Sequence, residues 1–220
     1  MTQLAFDLAG KAAFAREDFF VSPANAQALA AVDAWHTWPS GKMLIVGPTG
    51  AGKTHLAHLW AHAAGGIVIA GDDLAQADLT RLPQAVAVAV DDADLVMAEE
   101  ALLHLHNLVT QAGALLLTAT TPPRDWGLRL PDLFSRMQAT AITRLQAPDD
   151  ALLAAVLVKL FTDRQIAVQP TLIAYLVMRM DRSLGAAQTL VATLDAHALA
   201  AGRPITRALA ADVLDSQPDA

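Results

Sequence analysis

The sequence contains no cysteine. That excludes a disulfide framework and any thiolate metal site, and it is the usage expected of a cytoplasmic protein. Charge is sparse too: Asp, Glu, Lys and Arg make up 17% of the 220 residues, with a net charge of −7. A broad basic surface for nucleic acid is therefore not expected, although an average of this kind can hide a local patch. No apolar run reaches membrane-spanning length. The N-terminus carries Asp7 and Lys11 where a secretory signal has a long apolar segment. No membrane partner is expected. Hydrophobic residues, many of them alanine, reach 54%, enough to bury the core of one large domain or of a main domain with a smaller companion.

Within that apolar background one stretch stands out, Gly47-Pro48-Thr49-Gly50-Ala51-Gly52-Lys53-Thr54. Its spacing of glycine, four residues and Gly-Lys-Thr is that of a phosphate-binding loop. The flanks have the required character: Lys42-Met43-Leu44-Ile45-Val46 reads as a short buried strand, and the residues from His55 to Ala61 read as helix. Glycines at 47, 50 and 52 permit backbone angles that turn consecutive N–H groups toward one anion. The helix starting near Gly52 adds its unpaired N–H groups and the positive end of its dipole. Lys53 supplies a cation for the β- and γ-phosphates, and the Thr54 hydroxyl is a candidate Mg²⁺ ligand. The candidate ligand is a nucleoside di- or triphosphate.

The chain around this loop alternates strand and helix. Ser22-Pro23 gives a helix start signal, and a helix is expected from Pro23 to about Trp38. Strands are expected at Ile67–Ala70, Ala85–Val90, Ala114–Thr120 and Thr140–Thr143, with Asp72-Asp73 capping a short helix through Gln76 and a longer helix over 98–112. The run Ala85–Val90 is apolar on both faces, as in a central parallel strand. At its end sit Asp91, a candidate Mg²⁺ carboxylate, and Asp92, a candidate for orienting or deprotonating water. Thr118 or Thr120, at the end of the next strand, is placed to hydrogen-bond a γ-phosphate or water; threonine is also an ordinary strand residue. After Gln146-Ala147-Pro148 the pattern becomes purely helical: 149–164, 171–180, 183–200 and 206–214. The expected architecture is a doubly wound parallel α/β domain followed by a small all-helical lid, with its site at the C-terminal edge of the strands. The boundaries read 1–15 for a peptide and linker, 16–146 for the α/β domain and 147–220 for the lid.

The first eight residues carry Leu4, Phe6 and Leu8 in alternation, so an extended chain points all three one way. Such a segment either packs on its own domain or docks Gln3, Leu4, Phe6 and Leu8 into a partner's pocket. His55, His58 and His62 recur at helical spacing without a supporting carboxylate and are expected on a helix surface, not at a metal.

A phosphate-loop α/β domain followed by four lid helices resembles the AAA+ superfamily, and its DnaA-related group in particular. Phe19-Phe20-Val21 followed by Asn25 resembles the segment leading into that group's nucleotide pocket, which makes Phe20 and Val21 candidate nucleotide contacts. Asp91-Asp92 resembles its paired aspartates. Leu117 to Pro123 resembles its sensor 1 stretch, Leu133-Phe134-Ser135-Arg136 its arginine-finger segment, and Asp181-Arg182-Ser183-Leu184 its sensor 2 arginine. Relative to a full initiator, an N-terminal oligomerisation domain is missing, and the sequence stops at Ala220 where a helix-turn-helix domain is expected. With Gln3-Leu4-Ala5-Phe6-Asp7-Leu8 in front, the chain resembles the Hda family of DnaA regulatory inactivators.

That resemblance implies ADP or ATP with Mg²⁺ as cofactors, and a docking peptide that binds the DNA polymerase sliding clamp. It implies a negative regulator of replication initiation, which presents Arg136 in trans to ATP held by DnaA. An arginine so placed is worth about 10³–10⁵ in rate. Arg182 would act in cis on bound phosphate, and DNA would be met only through the clamp. Sensor 1 offers Thr120 where initiators usually carry a more strongly polar or acidic residue, so weak hydrolysis by the chain itself is expected. The competing functions are a self-assembling AAA+ ATPase, acting as a loader or remodelling motor, and a small-molecule phosphate-loop kinase. A homo-oligomer stays open.

Overall fold

A computed structural model of the chain describes residues 16, 19–79, 87–109 and 113–216. Gln3, Leu4, Phe6 and Leu8 lie outside the described residues, as does the start of the strand expected from Ala85. Five strands form one parallel sheet: β1 (Lys42–Val46), β2 (Ile67–Ala70), β3 (Ala87–Asp91), β4 (Ala114–Ala119) and β5 (Ala141–Arg144). Their spatial order is β2-β3-β4-β1-β5, so β1 lies in the interior, between β4 and β5. All its residues are buried, as a strand covered on both faces must be.

The pleat divides the core in two. Met43 and Ile45 join Ala89 and Leu116 on the face covered by α1 (Ala26–Asp33) and α2 (Lys53–Ala64). Leu44 and Val46 join Val88, Val90, Leu115 and Leu117 on the opposite face, under α3 (Glu99–Leu108) and α4 (Pro131–Ala139). Successive side chains on a strand point to opposite faces, so one short apolar strand feeds both cores. On the first face, Trp38 stacks on Trp60 at 5.3 Å, and its indole N–H donates to the Ala31 carbonyl at 2.7 Å.

A third apolar core belongs to the C-terminal helices α5 (Asp150–Asp163), α6 (Pro170–Arg179), α7 (Leu184–Ala201) and α8 (Arg207–Asp215). It is built from Leu153, Leu157, Phe161, Leu172, Leu176, Leu190, Leu194 and Val213, among others. Three of these helices begin at a side-chain cap. Asp149, Ser183 and Thr206 accept hydrogen bonds from the backbone N–H groups of Leu152, Ala186 and Leu209. No described helix is long and apolar enough to cross a membrane.

Two expected elements differ. The helix expected from Pro23 begins at Ala26 and ends at Asp33, followed by separate 3₁₀ turns at Trp35–Thr37 and Pro39–Gly41. Asn25 is the reason at the start: its buried amide accepts from the Ser22 N–H at 2.9 Å and donates to the Phe20 carbonyl at 2.8 Å. These bonds hold Ser22 in a turn, where its hydroxyl accepts from Ala24 at 3.2 Å instead of capping a helix. The short helix expected after Asp72-Asp73 is a series of turns. There the Gly71 N–H donates to the Asp91 carbonyl at 2.7 Å, so the chain stays tied to the sheet edge.

Candidate functional site

The phosphate loop joins the end of β1 to the start of α2, with Gly52 as N-cap in the left-handed region at φ 102°. Gly50 is also left-handed, at φ 74°. Gly47 needs its hydrogen for a different reason: a Cβ there would sit 2.4 Å from the Leu145 carbonyl oxygen. Lys53 is buried, and its ammonium donates to the Pro48 carbonyl at 3.3 Å, folding back over the loop that Pro48, Thr49, Gly50 and Ala51 form. Thr54, in the first turn of α2, is exposed.

The C-terminal edge of β3 supplies the carboxylates, and that of β4 a threonine partner for them. Asp91 ends β3, and its Oδ1 accepts from the Thr118 hydroxyl at 2.5 Å. The Thr118 oxygen in turn accepts from the Asp92 N–H at 2.9 Å. Of the two threonines at the end of β4, then, Thr118 is fully buried and bonded to the acidic pair, whereas the Thr120 side chain is exposed. Asp92 has left-handed backbone angles (φ 53°) and is half-buried. Burial and the neighbouring Asp91 charge raise its carboxyl above the usual range, with Lys53 opposing and Asp94 and Asp72 adding smaller pushes. Raised affinity for a proton beside a phosphate loop suits a group that takes a proton from water.

The residues that tie the site to the rest of the molecule are ones the motif spacing leaves unmarked. Asp94 accepts from the N–H groups of Thr120 at 2.8 Å and Thr121 at 3.2 Å, which joins the turn after β3 to the turn after β4. Trp126 donates back to the Thr121 carbonyl at 2.8 Å. Glu99, at the start of α3, accepts from Arg129 at 2.9 and 3.0 Å and from Leu130 at 2.7 Å. Those bonds hold its carboxyl below the ordinary value. Leu130 is the N-cap residue of α4, so a hydrogen-bonded strap runs from the acidic edge to the helix that carries Arg136. A carboxylate three or eight residues beyond a strand end is an ordinary surface residue in sequence, and only the fold reveals its partners.

Arg136 itself is half-exposed and pairs with Asp132 at 2.9 Å. Three residues after it α4 ends, and β5 begins with Ala141 opposite Met43, at the N-terminal end of the strands. Its charge is felt there by Lys42, the first residue of β1, and by the buried His106. The phosphate loop leaves the other end of β1, about 13 Å away at the rise of a parallel strand. The structure does not bring Arg136 to its own phosphate loop.

Arg182 lies on the other side of the loop. The Leu184 N–H donates to the Gly50 carbonyl at 2.8 Å, and a Cβ on Gly50 would lie 2.0 Å from the Ser183 hydroxyl. The start of α7 thus rests directly on the phosphate loop. Arg182, one residue earlier, pairs with Asp150 at 2.6 Å, both side chains being more than half exposed. Asp149 closes the same corner: bonds from Leu152, the Ser22 hydroxyl and Ala24, with the nearby Arg182 charge, depress its carboxyl. Phe20 and Val21 are exposed, and Phe20 lines an apolar groove of about 440 Å³ with Ala154, Ala155 and Val158 of α5. The adjacent Phe19 ring lies 5.4 Å from His55, the residue after Thr54, which sets the segment against the loop helix. Among the described residues no cluster of three or more His, Asp or Glu side chains is arranged to hold a metal ion, the loop-helix histidines included.

No family model matches the sequence. Among solved structures, domain III of the Thermotoga maritima replication initiation protein DnaA superposes with a TM-score of 0.79 at 18% identity, over 92% of this chain and 95% of that one. DnaA from Aquifex aeolicus bound to AMPPCP gives 0.66 at 17% identity, over 81% of this chain and 64% of the DnaA chain. A point mutant of Thermotoga maritima RuvB gives 0.65 at 19%, over 87% and 67%. The chain spans just under two thirds of the longer DnaA structures it matches. The fold is therefore the one shared by the DnaA and RuvB structures, a parallel α/β domain followed by a helical region.

Proposed function

We propose that this chain is a regulatory AAA+ protein that holds an adenine nucleotide at Gly47–Thr54 and acts on the nucleotide of a second protein through Arg136. The observation that carries this reading is the placement of Arg136. It sits at the end of the sheet away from its own phosphate loop, half-exposed, on a helix whose start is pinned by Glu99. An arginine in that position has no phosphate of its own to serve and is available to one presented by a partner. A DnaA-type initiator is the partner we assign, with the sliding clamp as the platform bound through Gln3, Leu4, Phe6 and Leu8.

At the chain's own site, the loop N–H groups and Lys53 would hold the nucleotide phosphates, and AMPPCP in the Aquifex DnaA structure supports an adenine nucleotide. The donor set also fits Mg²⁺. One hydroxyl, Thr54, and one carboxylate, Asp91, are what an ion needs that takes its remaining ligands from phosphate and water. That ion would neutralise phosphate charge. Asp92, whose carboxyl feels the Lys53 charge, is the candidate proton acceptor, and Phe20 and Val21 are candidate contacts for the base. The buried Thr118 holds the acidic pair rather than reaching outward, and the exposed Thr120 offers a weak hydrogen bond to a γ-phosphate. Slow hydrolysis by the chain alone fits these features.

The test is ATP hydrolysis by DnaA with this chain and DNA-loaded clamp present, each component omitted in turn. Stimulation that needs all three, and that Arg136→Ala abolishes by about 10³-fold or more while nucleotide and clamp binding persist, is expected. Rapid hydrolysis by the chain alone would overturn the reading in favour of a self-sufficient motor. Clamp binding that survives Gln3→Ala with Leu4→Ala would remove the docking peptide from it.

A further inference from the structure

The corner where the helical region meets the phosphate loop contains an arginine already committed to an acid. Arg182 and Asp150 pair at 2.6 Å. Asp150 opens α5, and Arg182 lies one residue before the cap of α7, so the ion pair joins the starts of two helices. The backbone beside Arg182 cannot drift from the loop, because Leu184 donates to Gly50 at 2.8 Å and Ser183 fills the space a Gly50 Cβ would need. A phosphate seated on the loop would therefore offer the guanidinium a second anion beside the Asp150 carboxylate.

We propose that Asp150 is an affinity-setting residue, which holds Arg182 away from the phosphate site and so competes with bound nucleotide. This inference rests on the nucleotide-binding function proposed above and adds to it a residue that opposes binding. Arg182 is a donor-only fork that forms one good bidentate partnership at a time. Seating it on phosphate requires that it loosen its bond to Asp150, and an ionised Asp150 left beside the phosphate repels it. Asp149, whose ionised form is favoured, adds to the negative charge at that corner. Both members of the pair are more than half exposed, and exposed pairs are worth about 0.2–1 kcal/mol. The expected effect is accordingly a gain of up to about fivefold in affinity when Asp150 loses its charge.

The experiment measures binding of a fluorescent ADP analogue to the full chain for Asp150→Asn, Arg182→Ala, the double variant and Lys53→Ala. Asp150→Asn is expected to tighten binding about two- to fivefold, Arg182→Ala to weaken it, and the double variant to match Arg182→Ala. Asp150→Ala, which removes the same charge without leaving an amide, must agree with Asp150→Asn. Unchanged or weaker binding by both Asp150 variants, with Arg182→Ala still impaired, overturns the competition and leaves the nucleotide site intact. A double variant that keeps the gain of Asp150→Asn also overturns it, since the gain then does not pass through Arg182. Binding undiminished in Lys53→Ala sinks the nucleotide site and this proposal with it.

Discussion

The N–H of Leu184 donates to the carbonyl of Gly50 at 2.8 Å, across 134 positions of sequence (184 − 50). This bond makes the phosphate loop part of the contact between the α/β sheet and the C-terminal helices. Gly50→Ala is expected to break it, because the added Cβ would meet the Ser183 hydroxyl at 2.0 Å and the backbone there has φ 74°. A cost of about 1–3 kcal/mol is expected for a side chain forced into that conformation. Urea unfolding measures it, and amide exchange at Leu184 should quicken. Wild-type stability with a protected Leu184 amide would show that the loop and α7 are not coupled in this way.

Asp94 is predicted to matter more than its place in an acidic run suggests. Asp94→Ala takes the carboxylate away from the exposed N–H groups of Thr120 and Thr121, at an expected cost of about 0.5–1.5 kcal/mol. Exchange should accelerate at those two amides and not in β1, and Asp94→Asn, which keeps one carbonyl oxygen, should recover part of the loss. Equal stability of the alanine variant and wild type would remove Asp94 from the strap.

For Asp92 the sign is opposite. Its folded carboxyl is raised by burial and by Asp91, so ionised Asp92 costs stability at neutral pH, and protonation relieves that cost. Asp92→Asn should therefore be more stable than wild type at pH 7. The difference should shrink as pH falls through the raised value and vanish near the ordinary carboxylate range. A variant less stable than wild type at pH 7 would contradict this.

His106 should make stability depend on pH in the next range up. Burial first, then the charges of Lys42 and Arg136, lower it to about 4, against about 6.5 in the unfolded chain. Between those values the unfolded state binds the proton and the folded state does not. The contribution is whole above about pH 6.5 and falls away as the pH drops toward 4. His106→Gln should flatten the loss of stability between pH 7 and pH 4.5 in urea titrations. Parallel curves for the two proteins would show that His106 is not the group responsible.

The sequence by itself determined the phosphate loop, the buried strands β1 and β3, the succession of strands and then helices, and the helix starts at Asp149 and Thr206. All of these are encoded over a few residues: motif spacing, a short apolar run, or a side chain within reach of an N–H three positions away. Tertiary structure decided what no local pattern carries. Ser22-Pro23 has the letters of a helix start, yet Gln146 donates to the Ala24 carbonyl at 3.1 Å and the Asp149 carboxylate takes bonds from Ser22 and Ala24, and the chain there is a turn instead. Asp94, Glu99 and Asp150 look like solvated acids until Thr120, Leu130 and Arg182 arrive from at least 26 positions away. Periodicity says which face of an element is buried. It does not say against what, because a carboxylate's partner is chosen by how strands and helices stack and not by the residues beside it in the chain.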